Sequence, residues 1–218
     1  MPVRIAHIHD TKHISGSSLP AKVVAEYLNW IGKRKLSKVA TSFFACSTEA
    51  GQDYFPFLKE RNESFVLVRN AVDLDKYAFN LDKRERARQE LGVSDDTFVL
   101  GQVGRLSLEQ KNQLFTLKVF SRLMETRPNS RLVLVGSGAD ILSIKNAATK
   151  LKIESKILIL ANADSANYYS AFDCFILPTF YEGLCVAAIE AQCNGVPCVL
   201  SQRLSYVLTS FSSRLKIQ

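Results

Sequence analysis

The chain alternates short apolar, β-branched runs with amphipathic stretches, and this alternation limits the folds open to it. The apolar runs predict buried parallel strands at residues 3–9, 42–46, 65–69, 98–103, 132–135, 157–160, 174–177 and 198–200. Residues 21–31, 112–125 and 140–151 between them have helical periodicity, with one apolar stripe formed by Leu117, Phe120 and Met124. Strands that alternate with helices in this way predict an α/β fold with doubly wound sheets.

The composition agrees with a soluble chain that can bury a core. The 218 residues are 47% hydrophobic and 22% charged, which suits one or two domains. No run approaches the roughly 18 apolar residues of a membrane span, and the first residues are not the start of a signal peptide. We therefore expect a cytoplasmic protein. The five cysteines lie in apolar runs without a C-x-x-C pair, which predicts buried, reduced thiols.

The formal net charge of +7 raises the question of an acidic partner. The basic clusters are short, at residues 33–35 and 83–88, and the second is interleaved with acidic residues as on a solvated helix face. No basic module with interleaved aromatic residues is present, so we expect no nucleic-acid partner. An anionic membrane surface remains an alternative partner for this charge.

Two glutamates stand out near the end of the chain. Glu182 and Glu190 are eight positions apart in residues 180–197, where a loop leads into a helix. Helical spacing would place the second carboxylate a little over two turns beyond the first, so that both address one ligand. The backbone amides of Gly183 and Leu184 would face the same pocket, at a helix start that suits an anion or sugar hydroxyls. Taken alone, such a pair also occurs on exposed helices.

Further segments accompany the glutamates in a recognisable order, at residues 3–9, 44–47, 70–73, 101–105, 110–112, 135–138 and 193–197. With the two glutamates, this series resembles the family-4 (group 1) glycosyltransferases, and in particular the bacterial enzymes of exopolysaccharide and capsule biosynthesis. The resemblance implies a GT-B fold, in which two Rossmann-like domains bind the acceptor and the nucleotide-sugar donor. It assigns residues 1–78 to the acceptor-side domain and residues 79–218 to the donor-binding domain.

The same resemblance implies that the chain is truncated at both ends. Residues 3–9 match a strand well inside the family's first domain, and residues 202–218 depart from the family's usual continuation. Both Rossmann-like domains are then incomplete, which would leave unpaired strand edges. The polar residues 70–91 are the expected hinge between the two halves.

Two cations are candidates for catalysis in the second half. Arg105 follows a predicted strand end, and Lys111 comes six residues later, before a helix, so both can reach one phosphate group. Sugar transfer from a nucleotide diphosphate develops negative charge on the leaving oxygen, which fixed cations stabilise. They would substitute for a metal ion, and no aspartate pair or histidine cluster has metal-ligand spacing. We expect no metal and no other cofactor. The alternative is that both are solvated loop residues.

The glutamates would have different parts in this donor site. An ionised carboxylate only accepts hydrogen bonds, so Glu190 suits the vicinal ribose hydroxyls. The resemblance places Glu182 beside the donor sugar as a stabiliser of the reacting centre, with Gly183 and Leu184 as donor-binding residues.

Glycine positions extend the donor-binding set. Gly136 and Gly138 lie between a predicted strand and a predicted helix, where a flexible backbone can approach a phosphate or sugar closely. The resemblance adds Gly104 and Asn112. As a dinucleotide fingerprint the glycine pair is weak, because Ile141 occupies the third glycine position. The alternative is a tight turn without a ligand.

One histidine of the first half is a further catalytic candidate. We expect His7 and His9 to point to opposite faces of the first strand, with His9 nearer the following loop and so better placed for a site. The resemblance puts a histidine against the donor sugar or the acceptor, and the alternative is a structural histidine at the strand end. Asn70 is expected to be a turn residue.

These features predict a glycosyltransferase that moves a hexosyl group, with retention, from a UDP-linked donor to a glycan or lipid-linked acceptor. Its other contact would be the inner face of the membrane. Two alternatives are an inactive nucleotide-binding remnant and an NAD-dependent oxidoreductase. The oxidoreductase would need a glycine fingerprint after the first strand, which residues 11–20 do not supply.

Overall fold

The structure, a computed structural model, describes residues 3–9, 19–201 and 215–216. It divides into two compact units, Met1–Ala71 with Tyr181–Leu184, and Val72–Phe180 with Cys185–Gln218. The first boundary falls after Ala71, inside the polar stretch that was expected to hold the hinge. Most of residues 11–20, which lack a glycine fingerprint, and most of residues 202–218, which depart from the family pattern, lie outside the described residues.

The first unit contains a small parallel sheet with helices. Its strands β1 (Ile5–Ile8), β2 (Ser42–Ala45) and β3 (Val66–Leu67) pair in the order β1-β2-β3. The helices are α1 (Leu19–Val39), α2 (Thr48–Tyr54) and α3 (Pro56–Glu60). Ser47 caps α2, because its hydroxyl accepts a hydrogen bond from the Ala50 amide at 3.1 Å. The core of this unit includes Ala6, Phe43, Ala45, Tyr54, Phe55 and Leu58.

The second unit is a larger, doubly wound sheet. Its strands are β4 (Phe98–Val103), β5 (Ser130–Val135), β6 (Ile157–Leu160), β7 (Cys174–Leu177), β8 (Cys198–Leu200) and β9 (Leu215–Lys216). They are parallel and lie in the order β6-β5-β4-β7-β8-β9. Numbered within the unit this order is 3-2-1-4-5-6, the order of dinucleotide-binding Rossmann sheets. The helices are α4 (Leu74–Tyr77), α5 (Leu81–Glu90), α6 (Leu108–Lys111), α7 (Gln113–Thr126), α8 (Ile141–Lys150) and α9 (Val186–Asn194).

Both faces of this sheet are covered, as the continuous apolar runs predict. On β5, Val133 and Val135 pack into one core while Leu132 and Leu134 pack into the other. The second core also receives Leu117 and Phe120 of α7, so the predicted helical stripe is confirmed. The predicted parallel strands are confirmed as well, four of them with the predicted bounds.

Most of the polar stretch at residues 70–91 is helical and packs within the second unit. Arg88 of α5 is only 2% exposed. Its guanidinium contacts the Asp173 carboxylate at 3.3 Å and donates to the carbonyls of Ala171 and Thr97 at 3.0 and 2.6 Å. Asp173 also accepts from the Val99 amide at 2.8 Å, so this buried cation joins α5 to the starts of β4 and β7. Among the described residues, no helix is both long and apolar enough to cross a membrane.

Candidate functional site

The carboxyl ends of β4 and β7 mark the point where the strand order of the second unit reverses. Ligands of open α/β sheets bind in the crevice at such a point. The segments after the two strands are joined there: the Thr179 hydroxyl and the Phe180 amide donate to the Gln110 carbonyl at 2.8 and 2.9 Å. The Asn112 side-chain amide donates to the Pro178 carbonyl at 3.2 Å. Asn112 is therefore a structural anchor of this loop.

Lys111 is held at the centre of these loops. The residue is 9% exposed, and its side chain lies against the backbone of Gly104. A methyl group at Gly104 would lie 3.2 Å from Lys111 Cε, and Gly104 has a φ of +141°, so a glycine is needed there. The Lys111 carbonyl accepts from the buried Gln102 side chain at 2.9 Å. A fixed cation is thus placed beside half-buried glycine backbone at the end of β4.

The glycines after β5 allow a close approach between two loops. A methyl group at Gly136 would lie 2.2 Å from the Gly104 carbonyl oxygen, and one at Gly138 would lie 2.1 Å from the Leu106 carbonyl oxygen. The loops are also joined by a hydrogen bond from the Leu106 amide to the Ser137 carbonyl at 2.9 Å. One edge of the sheet therefore brings together five of the predicted site residues, namely Gly104, Lys111, Asn112, Gly136 and Gly138.

Arg105 is exposed, whereas Lys111 is buried. Its carbonyl accepts a hydrogen bond from the side chain of Gln113 at 2.9 Å, which fixes the backbone at Arg105. Gln113 is the first residue of α7. The residue before it, Asn112, has the left-handed backbone conformation. The start of a helix next to two cations favours a bound anion.

Glu190 lies in the middle of α9, and a buried tyrosine binds its carboxylate. The Tyr169 hydroxyl donates to Glu190 Oε2 at 2.7 Å. Burial raises the pKa of Tyr169 well above its usual value, and the adjacent Glu190 carboxylate raises it further. The hydroxyl therefore remains a donor, and Glu190 is an oriented acceptor.

Glu182 groups with the first unit, together with Gly183 and Leu184. It is half-buried and lies in a loop. α9 begins at Val186 with Cys185 as its N-cap, so Gly183 and Leu184 precede the helix. The expectation that helical spacing relates the two glutamates is therefore wrong, because Glu182 is not on the helix that carries Glu190.

His9 follows β1 in the first unit and contacts Asn70. The His9 Nδ1 and Asn70 Oδ1 atoms are 3.0 Å apart. In the tautomer with a protonated Nδ1, this ring donates to Asn70 and Nε2 is its acceptor nitrogen. The rings of His7 and His9 are 4.1 Å apart. The expectation that they point to opposite faces is wrong, because side chains two residues apart along a strand lie on the same side.

The described residues contain no candidate metal centre. Within residues 3–9, 19–201 and 215–216, no three His, Cys, Asp or Glu side chains are grouped as metal ligands would be. All five cysteines are described and none forms a disulfide; Cys46 and Cys185 are buried, and the other three are half-buried.

Sequence reasoning missed several residues that shape this site. Thr179 lies two residues after β7, at the point where the strand order reverses, and the sequence pattern contained this signal. Gln102 lies within an apolar run and Gln113 begins a helix. Their side-chain hydrogen bonds to the carbonyls of Lys111 and Arg105 could not be predicted without the fold. Tyr169 adjoins a second tyrosine in the sequence and gave no signal.

The fold and this site together define the class of protein. The described units are parallel α/β units of GT-B type, and the chain superposes on the structure of HepE from Anabaena with a TM-score of 0.76 at 19% identity. That superposition covers 94% of this chain and 55% of HepE, which was crystallised with UDP and glucose. The sequence model of the group 1 glycosyl transferases matches residues 83–208. The chain belongs to this family.

Two relatives show the extent of the similarity. EpsF of Bacillus subtilis, a glycosyltransferase by its name, is 30% identical over 94% of this chain and 52% of its own length. An Escherichia coli protein named UDP-Gal:alpha-D-GlcNAc-diphosphoundecaprenol alpha-1,3-galactosyltransferase is 34% identical over 62% of this chain and 36% of its own length. The chain thus spans about half of EpsF and about a third of the galactosyltransferase.

Proposed function

We propose that the second unit binds the nucleotide part of a UDP-sugar, and that the protein transfers its hexosyl group to a glycan or lipid-linked acceptor in polysaccharide biosynthesis. The observation that carries this proposal is Lys111, held against Gly104 at the reversal point of a 3-2-1-4-5-6 sheet. A buried, backbone-anchored cation beside a glycine backbone suits a diphosphate.

The proposed roles of Arg105 and Lys111 follow from the charge that develops during transfer. When the bond between the anomeric carbon and the diphosphate breaks, negative charge develops on the leaving oxygen, and Lys111 with Arg105 offsets it. These two cations supply the charge that a metal ion supplies elsewhere, so we propose transfer without an added metal. Gly136 and Gly138 allow the loop after β5 to pack against the loop after β4, which brings their backbone to the donor site. Glu190 accepts hydrogen bonds from the ribose.

By the family resemblance, further residues act on the sugar side. We assign Glu182 to stabilisation of the reacting sugar, with Gly183 and Leu184 as donor contacts. His9, oriented by Asn70, presents an acceptor nitrogen to a sugar hydroxyl. We propose a retaining outcome on the family resemblance.

The names of the relatives support this substrate class. HepE was crystallised with UDP-glucose as well as with UDP and glucose. The E. coli relative is named for a UDP-sugar donor and a lipid diphosphate acceptor.

A calorimetric titration of UDP tests the proposal, with Lys111→Ala as the variant. Loss of a charge-assisted contact is worth about 1.5–3 kcal/mol, so we expect about ten- to a hundredfold weaker binding. Lys118→Ala is the matched control, because Lys118 is an exposed lysine on α7. Equal UDP affinity in the two variants would contradict the site. Binding of NAD⁺ in preference to UDP would favour the oxidoreductase alternative.

Turnover separates an active enzyme from an inactive remnant. The wild-type chain is incubated with UDP-glucose or UDP-galactose and a lipid diphosphate acceptor, and release of UDP is measured. Acceptor-dependent release supports transfer by this chain. UDP binding without release would support the remnant.

We further propose a cytoplasmic location with contact to an anionic membrane surface through α1. One side of this helix exposes apolar residues in its first half, namely Val23, Val24, Tyr27 and Leu28. Basic residues continue the same side in its second half, namely Arg34, Lys35 and Lys38. Apolar and basic groups on one helix face suit a surface of anionic lipid.

Sedimentation with phosphatidylglycerol vesicles tests this contact. We expect binding that weakens with salt and that Arg34→Glu with Lys35→Glu abolishes. Lys59→Glu with Lys150→Glu changes the charge equally on other exposed surfaces and is the control. Equal vesicle binding by the two double variants would contradict a role for α1.

A further inference from the structure

The hydrogen bond between Tyr169 and Glu190 joins a buried hydroxyl to a carboxylate that is half-buried. The Tyr169 residue is 0% exposed, and its hydroxyl lies 2.7 Å from Glu190 Oε2. The same hydroxyl lies 3.2 Å from the Ala187 carbonyl. A hydroxyl has one proton, and the shorter contact to the charged acceptor is the stronger bond. The carboxylate is thus fixed by one of its two oxygens.

The tyrosine itself is held firmly. Its ring packs against the rings of Tyr77, Phe172 and Phe175, with centroid distances of 5.8 to 5.9 Å. Such packing keeps a buried aromatic side chain in one rotamer. The position of the hydroxyl, and with it the position of Glu190 Oε2, is set by the core.

A second tyrosine strengthens the arrangement. Burial raises the pKa of Tyr77, and a hydrogen bond with Glu190 raises it further, so this hydroxyl also remains a donor near the carboxylate. Asn194 of α9 donates to the Tyr77 carbonyl at 2.9 Å and to the Ser170 hydroxyl at 3.0 Å. These contacts hold α4, α9 and the Tyr169 segment together around Glu190.

We propose that Tyr169 is a positioning residue that fixes the Glu190 carboxylate for the ribose hydroxyls of the nucleotide. The inference rests on the proposed function, since it concerns the same donor site. A glutamate side chain in solvent samples several rotamers, and ordering it on binding weakens affinity. With one oxygen held by Tyr169, the carboxylate is already oriented, and its remaining lone pairs can accept from a vicinal diol.

The test compares UDP with 2′-deoxy-UDP by calorimetry in wild type and in Tyr169→Phe. A hydrogen bond to a charged group is worth about tenfold or more in affinity, so the wild type should prefer UDP by about tenfold. Tyr169→Phe removes one oxygen from a packed ring, and we expect the preference to fall to about threefold or less. A purely structural effect would weaken both ligands by the same factor and leave the preference unchanged.

Tyr168→Phe is the matched control. Its hydroxyl donates to Glu90 Oε1 at 2.6 Å, so the variant also breaks a tyrosine–carboxylate bond, one residue away and on another glutamate. This variant should keep the wild-type preference. Tyr77→Phe provides a second variant on the Glu190 side, with a smaller expected loss of preference because the hydroxyl is less buried.

The outcomes separate this inference from the function on which it rests. UDP binding with an unchanged preference in Tyr169→Phe and Tyr77→Phe overturns the positioning role and leaves the donor site intact. Equal wild-type affinity for the two ligands also overturns it, because Glu190 then does not read the ribose. A folded wild type that binds neither ligand overturns the proposed function together with the inference.

Discussion

Gly136→Ala should damage both stability and nucleotide binding, and the structure allows the effect to be estimated. The φ of Gly136 is +136°, which L-residues rarely adopt and which costs about 1–3 kcal/mol when enforced. The added methyl would lie 2.2 Å from the Gly104 carbonyl oxygen and 3.0 Å from its carbon, which are backbone atoms. Relief of such overpacking costs about another 1–3 kcal/mol. We expect a total loss of about 3 kcal/mol in the free energy of unfolding.

The loss should extend to the donor site, because Gly104 must move and Lys111 packs against it. Urea denaturation followed by circular dichroism measures stability, and calorimetry at low denaturant measures UDP affinity. Gly92→Ala is the matched control, since Gly92 has a φ of +63° and nothing within 4 Å of the added methyl. That variant should lose about 1 kcal/mol and keep UDP affinity. Equal losses in the two variants would refute the close approach of the two loops.

Two further predictions concern buried groups outside the donor site. Arg88→Met should lower the free energy of unfolding by about 3 kcal/mol in urea denaturation, because it leaves the buried carbonyls of Ala171 and Thr97 without their donor and Asp173 with Arg84 as its remaining cation. Exposed Arg86→Met is the control and should change it by less than about 0.5 kcal/mol. Burial raises the pKa of Cys174 to about 11 and of Cys198 to about 12. At pH 8 the thiolate fraction of each is lower in the folded than in the unfolded protein, so mass-resolved alkylation should be about a hundredfold slower for folded Cys174 and slower still for folded Cys198. Equal rates in the two states would contradict the raised pKa values.

The sequence predicted the sheet well because parallel strands buried on both faces are continuous apolar runs. It predicted the first helix less well. α1 runs over Leu19–Val39, beyond the predicted residues 21–31, because its second half continues with helix-forming lysines and arginine without an apolar stripe. α5 looked like a polar hinge because its buried side includes Arg88, and burial of a paired cation cannot be read from a hydrophobic pattern.

The motif residues predicted where the candidate site lies in the chain, but not which side-chain and backbone contacts form it. Gly136 and Gly138 were expected to approach a ligand, and the structure shows that their closest approach is to the loop after β4. The orientation of Glu190 depends on Tyr169, which comes from a different segment of the chain, so no local pattern reveals it.

The central claim is that UDP binds at the carboxyl edge of the second unit, and hydrogen exchange measured by mass spectrometry with and without UDP tests it most directly. We predict slower exchange in peptides that cover residues 101–112, 135–140 and 178–180. A groove of about 470 Å³ between α8 and β6, lined by residues that include Ile141, Lys145 and Ile159, is a competing cavity. Protection confined to residues 141–161 at saturating UDP, with none at the strand ends, would contradict the account.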